Sequence, residues 1–207
     1  MSILNEISEM MQRGRVAMVK ELIGKALEEG ISAKSILQDA LLPGMDIIGE
    51  KFKNNQVYVP EVLIAARAMN AGAEILKPYL IEEGVKDKGT VVIGTVKGDL
   101  HDIGKNLVKM MMEGKGLKVV DLGVDVSADR FVEAARENNA NVIACSALLT
   151  TTMGEMKNVV QKVKENKLNL KVIIGGAPIT KSYCDSIGAD GFSSDAATAA
   201  ELAMSFC

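Results

Sequence analysis

The residues of this sequence that could do chemistry lie in one short segment around its only histidine. The segment reads Asp99-Leu100-His101-Asp102-Ile103-Gly104 and follows an apolar run. Imidazole is a common metal ligand, and a ligating imidazole often donates its other ring N–H to a carboxylate, which fixes the tautomer and raises the basicity of the ligand. Asp99 is a candidate for that carboxylate, and His101 is a candidate metal ligand.

A metal site made by protein alone does not fit this sequence. Zinc or iron would need two or three further protein ligands. There is no second histidine, and Cys145, Cys184 and Cys207 are widely spaced without a CxxC pair. If His101 binds a metal, most of the coordination must come from elsewhere. A tetrapyrrole-type macrocycle brings four equatorial nitrogens and leaves an axial position for one protein ligand.

The same segment also has a purely structural interpretation, which the residues leave open. Gly94, Gly98 and Gly104 can be turn and packing glycines, with Asp99 or Asp102 capping the next helix. Nucleotide binding fits poorly because GxGxxG is absent. A P-loop is excluded because the glycine spacing is one residue too long and no Ser or Thr follows Gly-Lys.

The elements that must position this segment predict two domains, residues 1–85 and 86–207. The first part shows only helical periodicity, which predicts a small four-helix bundle. Its segments cover residues 19–27, 32–41, 45–52 and 60–76. Pro43-Gly44 is expected to stop the second helix, and Pro60 to open the last.

After residue 89 the sequence alternates short apolar runs with helical stretches. This pattern predicts βαβ units, hence a five-stranded, doubly wound parallel sheet of the flavodoxin-like or Rossmann-like class. Ligands of such sheets bind beyond the carboxyl ends of the strands, which is where the histidine segment falls. The predicted strands cover residues 90–96, 117–122, 141–146, 170–174 and 191–192.

The composition of the chain argues against binding to nucleic acid and against insertion into a membrane. The chain has 207 residues and a net charge of -3, which argues against a general affinity for nucleic acid. It has no apolar run of roughly 18 residues, and its first residues do not form a basic-then-apolar leader. We therefore expect a cytoplasmic protein that binds neither nucleic acid nor a membrane.

Three short motifs together resemble one protein family. Asp-x-His-x-x-Gly, filled by Asp99, His101 and Gly104, is similar to the cobalamin-binding motif of base-off, His-on corrinoid proteins. The segments 146–150 and 175–177 resemble the Ser-x-Leu-x-Thr and Gly-Gly-Ala segments of that family. The whole chain resembles the cobalamin-binding region of methionine synthase and the corrinoid proteins of methylamine, methanol and methoxylated-aromatic systems, whose methyl carriers also place a helical bundle first.

The resemblance implies a role for each matching residue. His101 replaces the benzimidazole of the cofactor as the lower axial ligand of cobalt, and Asp99 hydrogen-bonds its other ring nitrogen. Thr152 ends this relay where methionine synthase has a serine, a departure that keeps the hydroxyl. When cobalt becomes four-coordinate Co(I), the imidazole leaves and the His–Asp pair can take up a proton.

The resemblance also implies a slot for the nucleotide tail and a cover for the corrin. Glycines let backbone approach the tail, the hydroxyls of Ser146 and Thr150 can hydrogen-bond it, and the segment 194–196 lines its far end. Helix capping by Thr150 and an ordinary turn at Gly175-Gly176 stay open as alternatives. The full set of implied cofactor-binding residues is Gly98, Asp99, Leu100, His101, Asp102, Ile103, Gly104, Ser146, Leu148, Thr150, Thr152, Gly175, Gly176 and Ala196, with Tyr58 and Val59 from the bundle over the upper face.

The function implied is that of a methyl carrier. Cobalamin, as methylcobalamin, would carry a methyl group on cobalt from a substrate-specific methyltransferase to an acceptor methyltransferase for tetrahydrofolate or a thiol, with a reductive activator as a further partner. The chain would be a non-catalytic subunit. A cobalamin-binding sensor, the small subunit of a radical mutase and a flavodoxin-like domain without corrinoid are the alternatives.

Overall fold

The computed structural model describes residues 2–85 and 87–207. The chain divides into two compact units, Met1–Lys86 and Asp87–Cys207. The expected domain boundary between residues 85 and 86 stays a prediction, because Lys86, like Met1, lies outside the described residues. No helix in the described part of the chain is both long enough and apolar enough to cross a bilayer.

The first unit is a bundle of helices. Its elements are α1 (Ile3–Gln12), α2 (Val16–Glu28), α3 (Ala33–Ile36), a π-helical turn (Leu37–Leu41), α4 (Leu42–Lys53) and α5 (Val59–Glu82). The apolar side chains that recur at helical spacing are buried, among them Ile23 and Leu76. The expected helical character is therefore confirmed, although the sequence pattern had not predicted α1.

The expected stop at Pro43-Gly44 is wrong. The helix runs on without interruption from Ala33 to Lys53, because the turn before Pro43 widens. The Leu42 N–H donates to the Leu37 carbonyl, five residues back, which is the bonding of a π turn. Pro43 follows this wider turn directly, as the second residue of α4.

The start of α5 is one residue earlier than expected. Val59 is its first residue, Tyr58 is the residue before it, and Pro60 follows in the first turn. The Glu61 carboxylate accepts a hydrogen bond of 3.0 Å from the Tyr58 N–H, which satisfies a donor at the beginning of the helix.

The second unit is a parallel five-stranded sheet with helices on both faces, as expected. The strands are β1 (Thr90–Thr95), β2 (Lys118–Asp121), β3 (Val142–Ser146), β4 (Lys171–Gly175) and β5 (Gly191–Ser193), in the order β2-β1-β3-β4-β5. The helices are α6 (Ile103–Gly114), α7 (Ala128–Glu137), α8 (Gly154–Glu165), α9 (Lys181–Ile187) and α10 (Ala196–Ser205). This is the flavodoxin-like strand order, so the predicted fold class is confirmed.

The register of the sheet brings its loops together at one edge. Thr95 pairs with Ser146, Ser146 with Gly175, and Gly175 with Ser193, so the last residues of four strands form one row. The strand order reverses between β1 and its neighbours β2 and β3, which opens a crevice at the carboxyl ends. The loop after β1 carries His101 and therefore begins at this crevice.

A matched pair of substitutions in α5 tests the buried face of the bundle. Leu76 is fully buried, whereas Ile81 on the same helix is 72% exposed. We expect Leu76→Ala to lower the free energy of unfolding by about 2–5 kcal/mol because it leaves a cavity. Ile81→Ala should change it by less than about 0.5 kcal/mol. Urea unfolding followed by circular dichroism measures both, and equal losses would contradict this packing.

Candidate functional site

His101 and Asp99 are in direct contact. The Asp99 side chain is fully buried, and its Oδ1 lies 2.7 Å from Nδ1 of His101, whose side chain is 50% exposed. The same Oδ1 accepts a hydrogen bond of 3.1 Å from the His101 backbone N–H. In the neutral ring this contact places the proton on Nδ1, so that the lone pair of Nε2 is available to a ligand.

The second oxygen of Asp99 is bound by the loop after β3, residues 147–153. Its Oδ2 accepts hydrogen bonds from the Leu148 N–H at 2.8 Å, the Leu149 N–H at 3.2 Å and the Thr152 hydroxyl at 2.8 Å. Thr152 is itself buried. The structure thus brings His101, Asp99 and Thr152 into one chain of hydrogen bonds between two loops.

These contacts keep Asp99 ionised. Burial by itself raises the pKa of the carboxyl group. The hydrogen bonds from the His101 ring, from the Leu148 and His101 amides and from the Thr152 hydroxyl outweigh burial and hold the pKa of Asp99 well below its usual range. A buried negative charge therefore faces the imidazole from the protein side.

The backbone of the histidine loop, residues 96–102, is fixed by a tight turn. The Asp99 N–H donates to the Val96 carbonyl at 3.1 Å, and Gly98 occupies the third position of this turn with φ +80°. Such a φ is usual for glycine and costly for other residues. The buried Thr95 adds a hydrogen bond of 2.8 Å from its hydroxyl to the His101 carbonyl. Sequence reasoning had not singled out Thr95.

A buried ion pair fixes helix α6 behind the loop. Lys105 follows Gly104 and is 2% exposed, with its Nζ 2.6 Å from Oδ1 of Asp121 at the end of β2. Burial raises the pKa of Asp121, but Lys105 and the Gly123 amide more than compensate, so that the pKa is lowered. Sequence reasoning had missed this pair, because a lysine on a helix is ordinarily a solvent-exposed residue.

The glycines expected at the nucleotide slot differ from one another. A Cβ on Gly176, whose φ is +134°, would lie 1.8 Å from the Ala147 carbonyl oxygen, so this glycine is required by the packing of protein on protein. A Cβ on Gly175 would lie 3.2 Å from the Ser193 carbonyl oxygen. A Cβ on Gly104 would meet nothing within 4 Å, so space is open beside the first turn of α6.

The helix-capping alternatives are not realised. Asp102 precedes α6, but its side chain makes no capping bond and accepts instead from Asn106 Nδ2 at 3.1 Å. Helix α8 begins after Met153 without a side-chain cap, so Thr150 does not cap it. Thr150 is exposed and Ser146 is half-buried. Ala196 is buried as the first residue of α10, which Asp195 caps.

Large apolar side chains are exposed beside the imidazole. Leu100 and Ile103, on either side of His101 in the sequence, are 71% and 79% exposed, and Leu148 and Leu149 are also exposed. Exposed apolar residues grouped in this way mark a binding surface for an apolar partner or ligand. Leu149 is a further residue that the sequence analysis had missed, although it directly follows the predicted Leu148.

Tyr58 and Val59 belong to the other unit. Tyr58 is 66% exposed, and Val59 begins α5 half-buried. Their expected place over the corrin stays a prediction.

The donor set fits a ligand that brings most of its own coordination. Among the described residues, no group of three or more His, Cys, Asp or Glu side chains could hold a metal ion. The site instead offers one imidazole nitrogen, oriented by a buried carboxylate and surrounded by apolar side chains. A metal in a flat macrocycle suits these residues, because it requires a single axial protein ligand.

Two family models match the chain, and both carry the description "B12 binding domain". One matches residues 89–203, which include the whole sheet, and the other matches residues 3–77, within the helical unit. The chain belongs to the B12-binding corrinoid protein family. Its cofactor is cobalamin, which contains cobalt, and the expected family and cofactor are confirmed.

Individual relatives agree with this assignment. The chain is 40% identical over 208 residues to a corrinoid protein of Desulfitobacterium hafniense, covering 98% of this chain and 96% of the relative. It is 42% identical over 174 residues to trimethylamine corrinoid protein 1 of Methanosarcina mazei, covering 82% and 81%. A chain of the methanol:cobalamin methyltransferase complex MtaBC from Methanosarcina barkeri matches with a TM-score of 0.89 at 30% identity, covering 98% and 78%. The protein is thus a corrinoid protein of methyltransferase systems.

Substitutions at Thr152 test the hydroxyl that supports Asp99. Thr152→Val keeps the buried volume but removes a hydrogen bond to a buried charge, so we expect it to lower the free energy of unfolding by about 1–3 kcal/mol. Thr152→Ser loses a methyl group and keeps the hydroxyl, so it should cost less. Urea unfolding of the apoprotein compares the two variants, and a larger loss for serine than for valine would contradict the role of the hydroxyl.

A second pair of variants separates the two kinds of glycine. Gly176→Ala forces a Cβ into the Ala147 carbonyl, and we expect a loss of stability on the order of 2–4 kcal/mol in the apoprotein. Gly104→Ala places its methyl group in open space on a helix, so the apoprotein should be unchanged or up to about 1 kcal/mol more stable. Thermal melting without cofactor measures both, and a destabilised Gly104→Ala apoprotein would argue against the open space.

Proposed function

We propose that His101 is the lower axial ligand of the cobalt in bound cobalamin, with the benzimidazole of the cofactor displaced in the base-off, His-on mode. The observation that carries this proposal is the 2.7 Å contact between Asp99 Oδ1 and His101 Nδ1, in which the carboxylate is fully buried and the ring is half-exposed. Such an outer carboxylate is the usual partner of a metal-binding imidazole.

The side chains of the relay orient the ligand and hold its proton. Asp99 keeps the ring proton at Nδ1 and thereby directs Nε2 outward. Thr152 and the Leu148 amide hold the other carboxylate oxygen, so the carboxylate cannot turn away from the ring without breaking hydrogen bonds to the neighbouring loop.

The surrounding residues would hold the rest of the cofactor. We assign the exposed apolar residues Leu100, Ile103 and Leu148 to the lower face of the macrocycle, where they exclude water from the axial bond. The open space at Gly104 supports a place there for the displaced nucleotide tail. The remaining predicted members of this slot are Gly98, Asp102, Ser146, Thr150, Gly175, Gly176 and Ala196.

The bundle would cover the upper face. Tyr58 supports this part of the proposal because it is a large aromatic side chain left 66% exposed at the beginning of α5, where Glu61 fixes its backbone. We assign Tyr58 and Val59 to a removable cover that a partner enzyme displaces.

The protein then acts as a non-catalytic methyl carrier. Bound cobalamin supplies a cobalt ion that accepts a methyl group and gives it up again. We propose a substrate-specific methyltransferase as the partner that loads the carrier, a tetrahydrofolate or thiol methyltransferase as the partner that unloads it, and a reductive activator that restores it. The trimethylamine and methanol systems named for the relatives support this role.

We also propose a cytoplasmic location. Cys145, Cys184 and Cys207 are all free thiols, and two of them are buried. Free cysteines of this kind are typical of a reducing compartment.

Replacement of His101 tests the axial assignment. We expect His101→Ala to fold normally and to change the visible spectrum of the bound cofactor, because the axial nitrogen is lost. Its affinity for hydroxocobalamin should fall by at least about tenfold, since loss of an outer partner of a metal ligand alone costs roughly 10–100-fold. Lys97→Ala is the control, since Lys97 is exposed on the same loop. Spectroscopic titration measures affinity and spectrum together, and a His101→Ala complex with the wild-type spectrum would refute the assignment.

A further inference from the structure

The loop between β2 and α7, residues 122–127, is bonded both to Thr95 at the end of β1 and to the histidine loop. The Thr95 N–H donates to the Gly123 carbonyl at 2.9 Å, and the Val126 N–H donates to the Thr95 carbonyl at 2.9 Å. Val96 and Val126 form an isolated parallel bridge. The β2–α7 loop therefore extends the sheet past the end of β1 and reaches the turn that carries Asp99.

Asp125 makes the contacts of this loop with that turn. Its Oδ1 accepts a hydrogen bond of 2.7 Å from the Gly98 N–H, and its own N–H donates to the Asp99 carbonyl at 3.0 Å. The two bonds hold the backbone on both sides of the Asp99 α-carbon. Together with the bond from the Asp99 N–H to the Val96 carbonyl, they fix the backbone from which the Asp99 side chain projects.

The backbone of Asp125 has an unusual conformation for its position. In the described part of the chain, four non-glycine residues have a positive φ: Asn55, Asp125, Asn139 and Lys167. The other three each follow a helix end by two residues, where the left-handed conformation is common. Asp125, with φ +55°, lies instead in a strand-to-helix loop. Aspartate tolerates this conformation better than most residues and also supplies the acceptor that Gly98 needs.

We propose that Asp125 is a positioning residue for the axial ligand. It holds the Gly98–Asp99 backbone so that the Asp99 carboxylate meets His101 Nδ1, and it acts on the cofactor only through these residues. The inference rests on the proposed axial role of His101. A metal site requires its supporting groups to be placed within about 0.5 Å, so a loosened turn reduces the occupancy of the axial bond even when the protein stays folded.

Two substitutions separate the hydrogen bond from the backbone conformation. Asp125→Gly removes the carboxylate and tolerates the positive φ, whereas Asp125→Asn keeps an acceptor oxygen and also tolerates this φ. Asn139→Gly is the matched control, because Asn139 is another exposed residue with a positive φ, 48°, at a helix end. Hydroxocobalamin is titrated into each full-length apoprotein, and affinity, visible spectrum and apoprotein melting temperature are recorded.

We expect Asp125→Gly to bind hydroxocobalamin about tenfold more weakly, the lower end of the range for outer-sphere partners of a metal ligand. A smaller share of its bound cofactor should show the histidine-coordinated spectrum. Asp125→Asn and Asn139→Gly should both match the wild type in affinity and spectrum.

Four results would overturn the inference. Wild-type binding and spectrum in Asp125→Gly, while His101→Ala changes the spectrum, would remove Asp125 from the site and leave the axial assignment intact. Equal damage by asparagine and glycine would show that the acceptor is not what matters. An Asp125→Gly chain that no longer folds would make Asp125 a determinant of the fold instead. An unchanged spectrum in His101→Ala would refute the axial assignment itself, and the inference with it.

Discussion

One buried negative charge organises the functional end of the α/β unit. Burial of a carboxylate away from solvent costs a large free energy unless hydrogen bonds from the protein replace those from water. Asp99 receives them from five donors: the ring and amide of His101, the amides of Leu148 and Leu149, and the hydroxyl of Thr152. These donors come from two loops, so the charge ties the loop after β1 to the loop after β3. An altered position of either loop would leave the charge unsatisfied.

This arrangement depends on the parallel register of the sheet. Thr95 and Ser146 are paired in register at the ends of neighbouring strands, so the two loops leave the sheet at the same height. The same row continues to Gly175, and the next residue, Gly176, lets its strand pass against Ala147. The apolar side chains of Leu100 and Leu148 are exposed, although the Leu148 N–H is one of the donors that bind Asp99. On its protein side the site is held by hydrogen bonds to Asp99, and on its other side the imidazole and the apolar side chains are exposed.

The fold class was predictable from sequence because its signals are local. Each strand is an apolar run of the right length, and the chain alternates strands with helices. The Asp99–His101 pair was also predictable, since its members are two positions apart, with only Leu100 between them, and motif spacing alone indicates the contact. Thr95, Asp125 and the Lys105–Asp121 pair were not, because their roles arise from tertiary contacts between residues of ordinary type. The prediction that Pro43 ends a helix was wrong for a related reason. Proline usually ends an α-helix, and no local sequence signal indicates the wider turn that accommodates it here.

That wider turn has a consequence for how the bundle keeps its core. The buried positions are 33, 36, 40 and 41 before and within the turn, and 42, 44, 45, 48 and 49 after it. The centre of the buried face thus moves on by about one residue in the helical repeat. An uninterrupted α-helix would rotate the second set by roughly 100° away from the first. The added residue in the π turn compensates for this rotation, so the helical residues before and after the turn face the same interior of the bundle. Deletion of one residue from this turn would therefore rotate the buried positions of one stretch away from the interior that the other stretch faces.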